Sequence, residues 1–229
     1  GTILGTHNRC DPFHYFGAGG ADCSAEAMAF VRELGLDALV AIGGDGTMSI
    51  AHAMQEKGMN IVGVPKTIDN DLMATDRTFG FDTAVSIATE AIDRLQTTGQ
   101  SHQRVMILET MGRYTGWIAL EAGISGGADI ILIPEIPYDI EYVADVIKSR
   151  ENRQRFTIIV VAEGAAPKNG GMTVRETIED SPDPIRLGGV GNVIRNQLEL
   201  MVDSEIRTTV LGHVQRGGTP TASDRILST

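Results

Sequence analysis

The sequence predicts an α/β fold with mainly parallel β-sheets, and three observations support this. Short apolar runs, such as 38–42, 61–64 and 156–162, alternate with longer segments whose apolar residues recur at helical spacing. The runs are continuous, as expected of parallel strands buried on both faces. Each run is followed by a polar, glycine-rich stretch, which is where ligands bind in such sheets.

The elements follow in order along the chain. The predicted strands lie at 1–5, 38–42, 61–64, 104–109, 129–133, 156–162 and 208–211. The predicted helices lie at 24–34, 48–57, after Gly80, within 111–124, and at 142–150, 190–201 and 222–228. Residues 164–189 are polar and rich in Gly, Pro and Asp, so they are predicted to form a surface loop.

The composition argues against several classes of binding partner and structural framework. The 229 residues carry a formal net charge of −11, which argues against broad contact with nucleic acids or anionic membranes. The two cysteines, Cys10 and Cys23, form neither a disulfide framework nor a zinc-binding spacing, so a reducing cytoplasm is expected. The apolar runs are too short to cross a bilayer.

The stretch Gly43-Gly44-Asp45-Gly46-Thr47 lies between a predicted buried strand and a helix. Glycines let backbone N–H groups approach an anion, and a helix N-terminus adds partial positive charge, so phosphate is the natural ligand. Asp45 would then require a cation beside the phosphate, most simply Mg²⁺. The alternative is a tight turn in which Asp45 helps to cap the helix.

The segment 65–71 reads Pro-Lys-Thr-Ile-Asp-Asn-Asp and follows a predicted strand. It is either a solvated turn or a functional loop. In phosphoryl transfer an aspartate commonly takes the proton of the acceptor hydroxyl, and Asp69 is the candidate base. Asp71 is a candidate Mg²⁺ or positioning ligand, and Thr67 can donate to a phosphoryl oxygen.

Several cations lie near the ends of predicted strands: Arg104, Arg113, Arg207, His213 and Arg216. Each arginine alone could be a solvated charge or part of an ion pair. Together, in an acidic chain, they suit a phosphorylated acceptor, because guanidinium binds phosphate through two parallel hydrogen bonds. Glu163, which follows another strand, either accepts hydrogen bonds from sugar hydroxyls or caps the next segment.

Six motifs together resemble the 6-phosphofructokinase family over essentially the whole chain. They are Gly-Gly-Asp-Gly-Thr (43–47), Pro-Lys-Thr-Ile-Asp-Asn-Asp (65–71), Ser-His-Gln-Arg (101–104), Met-Gly-Arg-Tyr-Thr-Gly (111–116), Val-Ala-Glu-Gly (161–164) and Leu-Gly-His-Val-Gln-Arg-Gly-Gly-Thr-Pro (211–220). The glycine loop alone is less specific, since NAD kinases and lipid kinases have a similar one. The resemblance implies phosphoryl transfer to the 1-hydroxyl of fructose 6-phosphate in glycolysis.

The resemblance also implies roles for individual residues. Asp69 would be the base, with Thr67 and Arg113 also catalytic, and Asp45 and Asp71 would lie near Mg²⁺. The phosphoryl acceptor, fructose 6-phosphate, would contact Thr67, Asp69, Arg104, Met111, Gly112, Arg113, Glu163, Arg207, His213 and Arg216. The phosphoryl donor would contact Gly44, Asp45, Gly46, Thr47, Lys66 and Arg9. In the family, the counterparts of Arg104 and Arg207 reach in from a neighbouring subunit, so a homo-oligomer, a dimer or a tetramer, is implied.

The family fold has two α/β domains. The resemblance implies a donor and Mg²⁺ domain at 1–79 plus 215–229, and a sugar-phosphate domain at 80–214. The chain begins at Gly1, inside an apparent strand and without the family's N-terminal glycine loop. It is therefore expected to be an internal piece of a longer protein.

Two residues bear on the phosphoryl donor. Pyrophosphate enzymes of the family usually have Asp at the position of Gly46 and Lys at that of Lys66, whereas common bacterial ATP enzymes have Gly at both. An aspartate at position 46 would repel and obstruct the α-phosphate of a nucleotide, while a lysine suits any polyphosphate. ATP is therefore the expected donor, and pyrophosphate is the alternative.

Overall fold

The computed structural model of the chain describes residues 3, 5–7, 10–151, 154–177 and 185–229. The helices in this part are α1 (Ser24–Glu33), α2 (Asp45–Glu56), α3 (Phe81–His102), α4 (Trp117–Ser125), α5 (Ile140–Glu151), α6 (Val190–Leu198) and α7 (Ala222–Leu227). The strands are β1 (Leu39–Gly43), β2 (Ile61–Pro65), β3 (Val105–Thr110), β4 (Ile130–Leu132), β5 (Thr157–Ala162), β6 (Val174–Thr177), β7 (Ile185–Leu187) and β8 (Ile206–Val210). Short 3₁₀ helices cover Phe16–Ala18 and Gly212–Arg216.

The chain forms two compact units. Among the described residues, the first unit contains those up to Lys66 together with Leu72–Thr75. The second contains Thr67–Asp71, Asp76–Thr177 and Ile185–Thr229. The backbone thus passes from the first unit into the second between Lys66 and Thr67. The division into domains near residue 80, with a return near 215, stays a prediction.

The first unit is built on the parallel pair β1 and β2. The register runs from Leu39 opposite Ile61 to Gly43 opposite Pro65. The sequence predicts that this second strand ends at residue 64, but the structure extends it by one residue. Proline can hold this last position because Lys66 donates the closing hydrogen bond to the Gly43 carbonyl, at 2.8 Å.

One face of this pair packs on α1 and α2, and the other is exposed. Leu39 and Ile61 pack against a core of methionines from the helices and the loop between α2 and β2. On the other face, Val40 is 63% exposed and Ile42 is 62% exposed. The prediction that this strand is buried on both faces is therefore wrong for the described residues, because strand side chains alternate and helices cover a single face.

The second unit contains a four-stranded parallel sheet in the order β4-β5-β3-β8. All six residues of β3 and all six of β5 are buried. Each central strand contains a continuous apolar run, Val105–Leu108 in β3 and Ile158–Ala162 in β5, so the prediction of a buried parallel sheet is confirmed for them.

Helices cover both faces of this sheet. Ile107 and Ile159 point into a core formed with α5 and α6. Their neighbours Leu108 and Ile158 point into a second core, formed with α3 and α4. The alternation follows from the two-residue period of a strand, and it makes the second unit a doubly wound α/β layer structure. The predicted α/β class with mainly parallel sheets is confirmed.

The predicted surface loop over 164–189 is partly wrong, since β6 and β7 form an antiparallel hairpin within it. All four residues of β6 are exposed. The hairpin contributes nothing to the core, so the apolar pattern carries no signal for it. The strand predicted at 1–5 lies largely outside the described residues. None of the described helices is long and apolar enough to span a membrane.

Candidate functional site

Asp69 lies in the short loop Thr67–Asp71 of the second unit and is half-buried. Burial raises the pKa of its carboxyl to about 6, and repulsion from Asp71 adds to the effect. The positive charges of Arg216 and Arg113 oppose this rise and favour the ionised form. The structure thus brings one carboxylate, Asp71, and two guanidinium groups close to the Asp69 carboxyl, whose raised pKa suits a general base.

The turn after β3 presents Arg113 to this group. Gly112 has a φ of +144° and Arg113 a φ of +53°. A side chain at position 112 would meet the Thr115 carbonyl oxygen at 2.6 Å, so only glycine fits there. The N–H groups of Gly112 and Arg113 both donate to Glu163 Oε1, at 3.3 and 3.0 Å. This carboxylate therefore holds the turn in its unusual conformation.

Burial also raises the pKa of Glu163, and the negative charges of Asp69 and Glu109 contribute. The two backbone hydrogen bonds from the turn act in the opposite direction. Both sequence-based interpretations of Glu163 remain compatible with this geometry, because one oxygen organises the turn and the other can accept from a ligand.

The 3₁₀ helix Gly212–Arg216 follows β8 and supplies the remaining predicted groups at this edge. His213 and Arg216 are exposed, whereas Gln215 between them is buried. The Gln215 side-chain oxygen accepts a hydrogen bond from the Met111 N–H at 3.2 Å. This contact joins the segment after β8 to the segment after β3, so the predicted acceptor residues of both segments meet at one sheet edge.

These groups could act on a phosphorylated substrate. The Thr67 hydroxyl oxygen accepts from the Asp69 N–H at 3.2 Å, and its hydrogen can still be donated to an anion. Two arginines near the Asp69 carboxylate would bind phosphoryl oxygens while the carboxylate takes a proton. The arrangement is suited to transferring a phosphoryl group to a hydroxyl.

Comparison with known proteins agrees with this chemistry. The family model described as Phosphofructokinase matches residues 1–229. The chain belongs to the phosphofructokinase family. It is 56% identical over 237 residues to ATP-dependent 6-phosphofructokinase 2 of Clostridium perfringens. It is 51% identical over 229 residues to the pyrophosphate–fructose 6-phosphate 1-phosphotransferase of Amycolatopsis methanolica.

Both alignments include the whole chain, which spans 65% of the length of each relative. Among solved structures, the phosphofructokinase of Saccharomyces cerevisiae superposes on the whole chain with a TM-score of 0.81 and 33% identity. The chain spans 31% of that protein. The phosphofructokinase fold is therefore present in a chain shorter than the proteins it resembles.

Two of the predicted phosphofructokinase site residues lie at the opposite edge of the sheet. Arg104 precedes β3, Arg207 is the second residue of β8, and Glu205 lies between their guanidinium groups. Hydrogen bonding and attraction from Arg104, then from Arg207, lower the pKa of Glu205. Strands of this length separate the two edges by about 15–20 Å. The five cations of the sequence prediction therefore form two groups, and only Arg113, Arg216 and His213 lie at the Asp69 edge.

The predicted donor residues lie in the first unit. Gly43 ends β1, Gly44 is the N-cap of α2, and Asp45, Gly46 and Thr47 form its first turn. A side chain at position 43 would meet Thr47 atoms at 2.2–2.7 Å, so this glycine is required for packing. A side chain at position 46 would meet nothing within 4 Å. Packing among the described residues therefore does not require glycine at position 46.

Asp45 is exposed, and no side chain caps α2 at Gly44. The interpretation of Asp45 as a helix cap therefore loses support, although its negative charge suits the first turn. Lys66 is also exposed, at the end of the first unit. Arg9, the remaining donor candidate, lies outside the described residues.

Sequence reasoning missed Thr115 and Glu109, which form hydrogen bonds near the site. Thr115 donates its hydroxyl to the carbonyls of Asp69 and Gly112, each at 3.1 Å, and so links the two loops. Glu109, 2% exposed, accepts from the N–H groups of Gly189 and Gly191, both at 2.8 Å, at the start of α6. Their positions inside or beside the quoted motifs were the available signal.

Proposed function

We propose that the full-length protein transfers a phosphoryl group from ATP to the 1-hydroxyl of fructose 6-phosphate, giving fructose 1,6-bisphosphate in glycolysis. The observation that carries this proposal is the half-buried Asp69 carboxylate, with a pKa raised to about 6 and with Arg113 and Arg216 close to it. A base needs a pKa near the working pH, and the guanidinium groups supply the positive charge that phosphoryl transfer requires. The name of the Clostridium relative supports this reaction, and the name of the Amycolatopsis relative supports transfer to fructose 6-phosphate with pyrophosphate as the donor.

The residues assigned to the phosphoryl acceptor, fructose 6-phosphate, have different roles. Asp69 takes the proton of the acceptor hydroxyl, and Arg113 stabilises charge on the transferring group, helped by the Thr67 hydroxyl. Glu163 holds the Arg113 turn through two N–H groups and accepts from the sugar through its other oxygen. The remaining contacts to the sugar phosphate are assigned to Met111, Gly112, His213 and Arg216.

Mg²⁺ fits this proposal. In the described part of the chain, no cluster of three or more His, Cys, Asp or Glu side chains could cage a metal ion. Mg²⁺ in phosphoryl-transfer enzymes is usually held by one or two carboxylates together with the substrate phosphates, so a cage is not needed. Asp45, with Asp71 as the second candidate, would hold the ion. When bound, it neutralises charge on the donor phosphates.

ATP is proposed as the donor because of Gly46. The open space around this position and its place in the first turn of α2 leave room for a nucleotide phosphate beside Gly44 and Thr47. Lys66, with Arg9 as a further contact, would add positive charge that either donor tolerates. The pyrophosphate reaction remains the alternative, and the relative from Amycolatopsis carries that name.

A homo-oligomer, a dimer or a tetramer, is part of the proposal. Arg104 and Arg207 pair with Glu205 at the sheet edge opposite Asp69, so in one chain they are far from the acceptor group. A second copy could bring them to it. The net charge of −11 disfavours nucleic acids and anionic membranes as partners. With two free cysteines, the proposed location is the cytoplasm.

The test is a coupled assay on the full-length protein with fructose 6-phosphate and either ATP or pyrophosphate. We expect turnover with fructose 6-phosphate, faster with ATP. NAD and a lipid serve as alternative acceptors, since the glycine loop occurs in kinases for both. Phosphorylation of either one without turnover of fructose 6-phosphate would overturn the proposal, and a higher rate with pyrophosphate would reverse the donor assignment.

A further inference from the structure

The loop that carries Asp69 is held by threonine hydroxyls from other segments. Thr78 donates its hydroxyl to the Thr67 carbonyl at 2.8 Å. Thr115 donates its hydroxyl to the Asp69 carbonyl at 3.1 Å. All of these residues belong to the second unit. Because a loop without regular hydrogen bonding depends on such contacts for its shape, these hydroxyls determine where the Asp69 carboxylate lies.

Thr78 makes a second contact with the loop, through Asn70. The Thr78 N–H donates to Asn70 Oδ1 at 2.9 Å. Asn70 adopts a left-handed conformation, with a φ of +53°. Asparagine tolerates this conformation better than most residues, and the hydrogen bond to its side chain secures it. Thr78 therefore holds the residues on both sides of the Ile68–Asp69 pair.

Thr78 is itself attached to a rigid element. It is 1% exposed and lies just before α3. Its carbonyl accepts from the N–H of Phe81, a fully buried core residue, at 3.3 Å. The Asp224 carboxylate accepts from the N–H groups of Gly80 and Thr83, at 2.9 and 2.8 Å, and so fixes the start of that helix. A reactive group supported by a helix end is held more accurately than one on a free loop.

We propose that Thr78 is a positioning residue for Asp69, acting through the Thr67 carbonyl and the Asn70 side chain. The inference rests on the proposed role of Asp69 as the base in phosphoryl transfer. Thr78 itself contacts neither the acceptor nor the donor in this scheme. Its hydroxyl keeps the base loop at the distance from the acceptor that proton transfer needs.

The proposal predicts a specific defect when the hydroxyl is removed. In Thr78→Val the side chain keeps its shape, but the Thr67 carbonyl loses its donor and the loop can shift. A displacement of about 1 Å at a reacting group lowers the rate by up to about 100-fold. Because Thr78 contacts no substrate, the KM for fructose 6-phosphate should change far less than kcat.

The experiment compares the kcat and KM of variants of the full-length protein in the fructose 6-phosphate assay, together with their thermal unfolding. Thr78→Ser keeps the hydroxyl and is the conservative variant. Thr89→Val is the matched control, because it removes a hydroxyl that donates to a carbonyl at 2.9 Å inside α3, away from the loop. A merely structural role for Thr78 would lower the unfolding temperature without selectively lowering kcat.

We expect Thr78→Val to lose about 10- to 100-fold in kcat, with a KM for fructose 6-phosphate within about threefold of the wild type. Thr78→Ser should recover most of the rate, and Thr89→Val should match the wild type. A Thr78→Val rate within twofold of the Thr89→Val rate would overturn the proposal. So would a Thr78→Val whose KM rises as much as its kcat falls, or a Thr78→Ser that is as slow as Thr78→Val.

Asn70→Gly provides a second route to the same answer if Thr78→Val does not fold. Glycine keeps the left-handed conformation but removes the acceptor of the Thr78 N–H. We expect the same fall in kcat with a similar KM for fructose 6-phosphate, and a kcat close to that of the wild type would overturn the proposal. A wild-type protein that does not phosphorylate fructose 6-phosphate would instead overturn the proposed function.

Discussion

Replacing Asp69 by asparagine should stabilise the protein at neutral pH. The carboxylate is ionised at this pH, although its half-buried surroundings disfavour the charged form. The pKa of Asp69 is raised to about 6 from the ordinary value of 3.8, first by burial and then by Asp71. An acid whose pKa is raised by folding favours the folded state only when protonated. The cost of ionisation therefore grows between pH 3.8 and about pH 6 and levels off above that pH.

The size of this cost follows from the shift. A difference of about 2 pKa units corresponds to about 3 kcal/mol. Solvent at a half-buried site screens part of it, so we expect Asp69→Asn to raise the free energy of unfolding by about 1 to 3 kcal/mol at pH 7. At pH 5 the folded carboxyl is mostly protonated, and the gain should fall to about half. Below the unfolded pKa of 3.8 it should vanish.

Urea unfolding of the full-length protein at pH 5, 6, 7 and 8 measures this gain. Asp93→Asn, on an exposed part of α3, is the matched control, because it makes the same chemical change without burial. Its effect on stability should be small at every pH. If Asp69→Asn were no more stable than the wild type at pH 7, or if its gain did not shrink between pH 7 and 5, the argument that Asp69 is a buried base would fail.

Three further predictions follow from the same geometry. Gly46→Asp should lower activity with ATP far more than with pyrophosphate, while Gly46→Ala should keep the wild-type preference; equal losses in the two assays would remove the argument for ATP. Glu109→Gln should lower the free energy of unfolding in urea by about 2 kcal/mol, since one of two N–H donors at the start of α6 loses its acceptor; unchanged stability would show that this contact is unimportant. Arg113→Ala and Arg207→Ala subunits, each nearly inactive alone, should recover activity when refolded together, and no recovery would contradict sites shared between subunits.

The sequence predicts the central sheet of the second unit well because β3 and β5 are buried on both faces. Burial leaves continuous apolar runs, and these are visible without a structure. The hairpin β6–β7 is not predicted, because its residues do not pack in the core and therefore leave no apolar pattern in the sequence. The exposed face of β1 shows the opposite error, in which burial is predicted but absent. An apolar run in the sequence does not show whether a helix covers each face of the strand.

The site residues also differ in whether the sequence alone can predict them. Charged residues such as Asp69, Arg113 and Glu163 can be proposed from their position after strands, because ligands bind at the carboxyl ends of parallel strands. The roles of Thr78 and Gln215 cannot be proposed in this way. The backbone group that a buried hydroxyl or amide contacts is visible only in the structure. The predicted strand at 104–109 already places Arg104 before β3 and Arg113 after it, and the structure adds that Arg104 and Arg207 share Glu205 at one edge of the sheet.

The most direct test of the account is the kcat of Asp69→Asn for fructose 6-phosphate, measured on the full-length protein with the better donor at pH 8. Asparagine keeps the size of the side chain and its place in the loop but cannot take a proton. The account predicts a fall of several orders of magnitude in kcat with a modest change in KM. A kcat close to that of the wild type would contradict the assignment of Asp69 as the base.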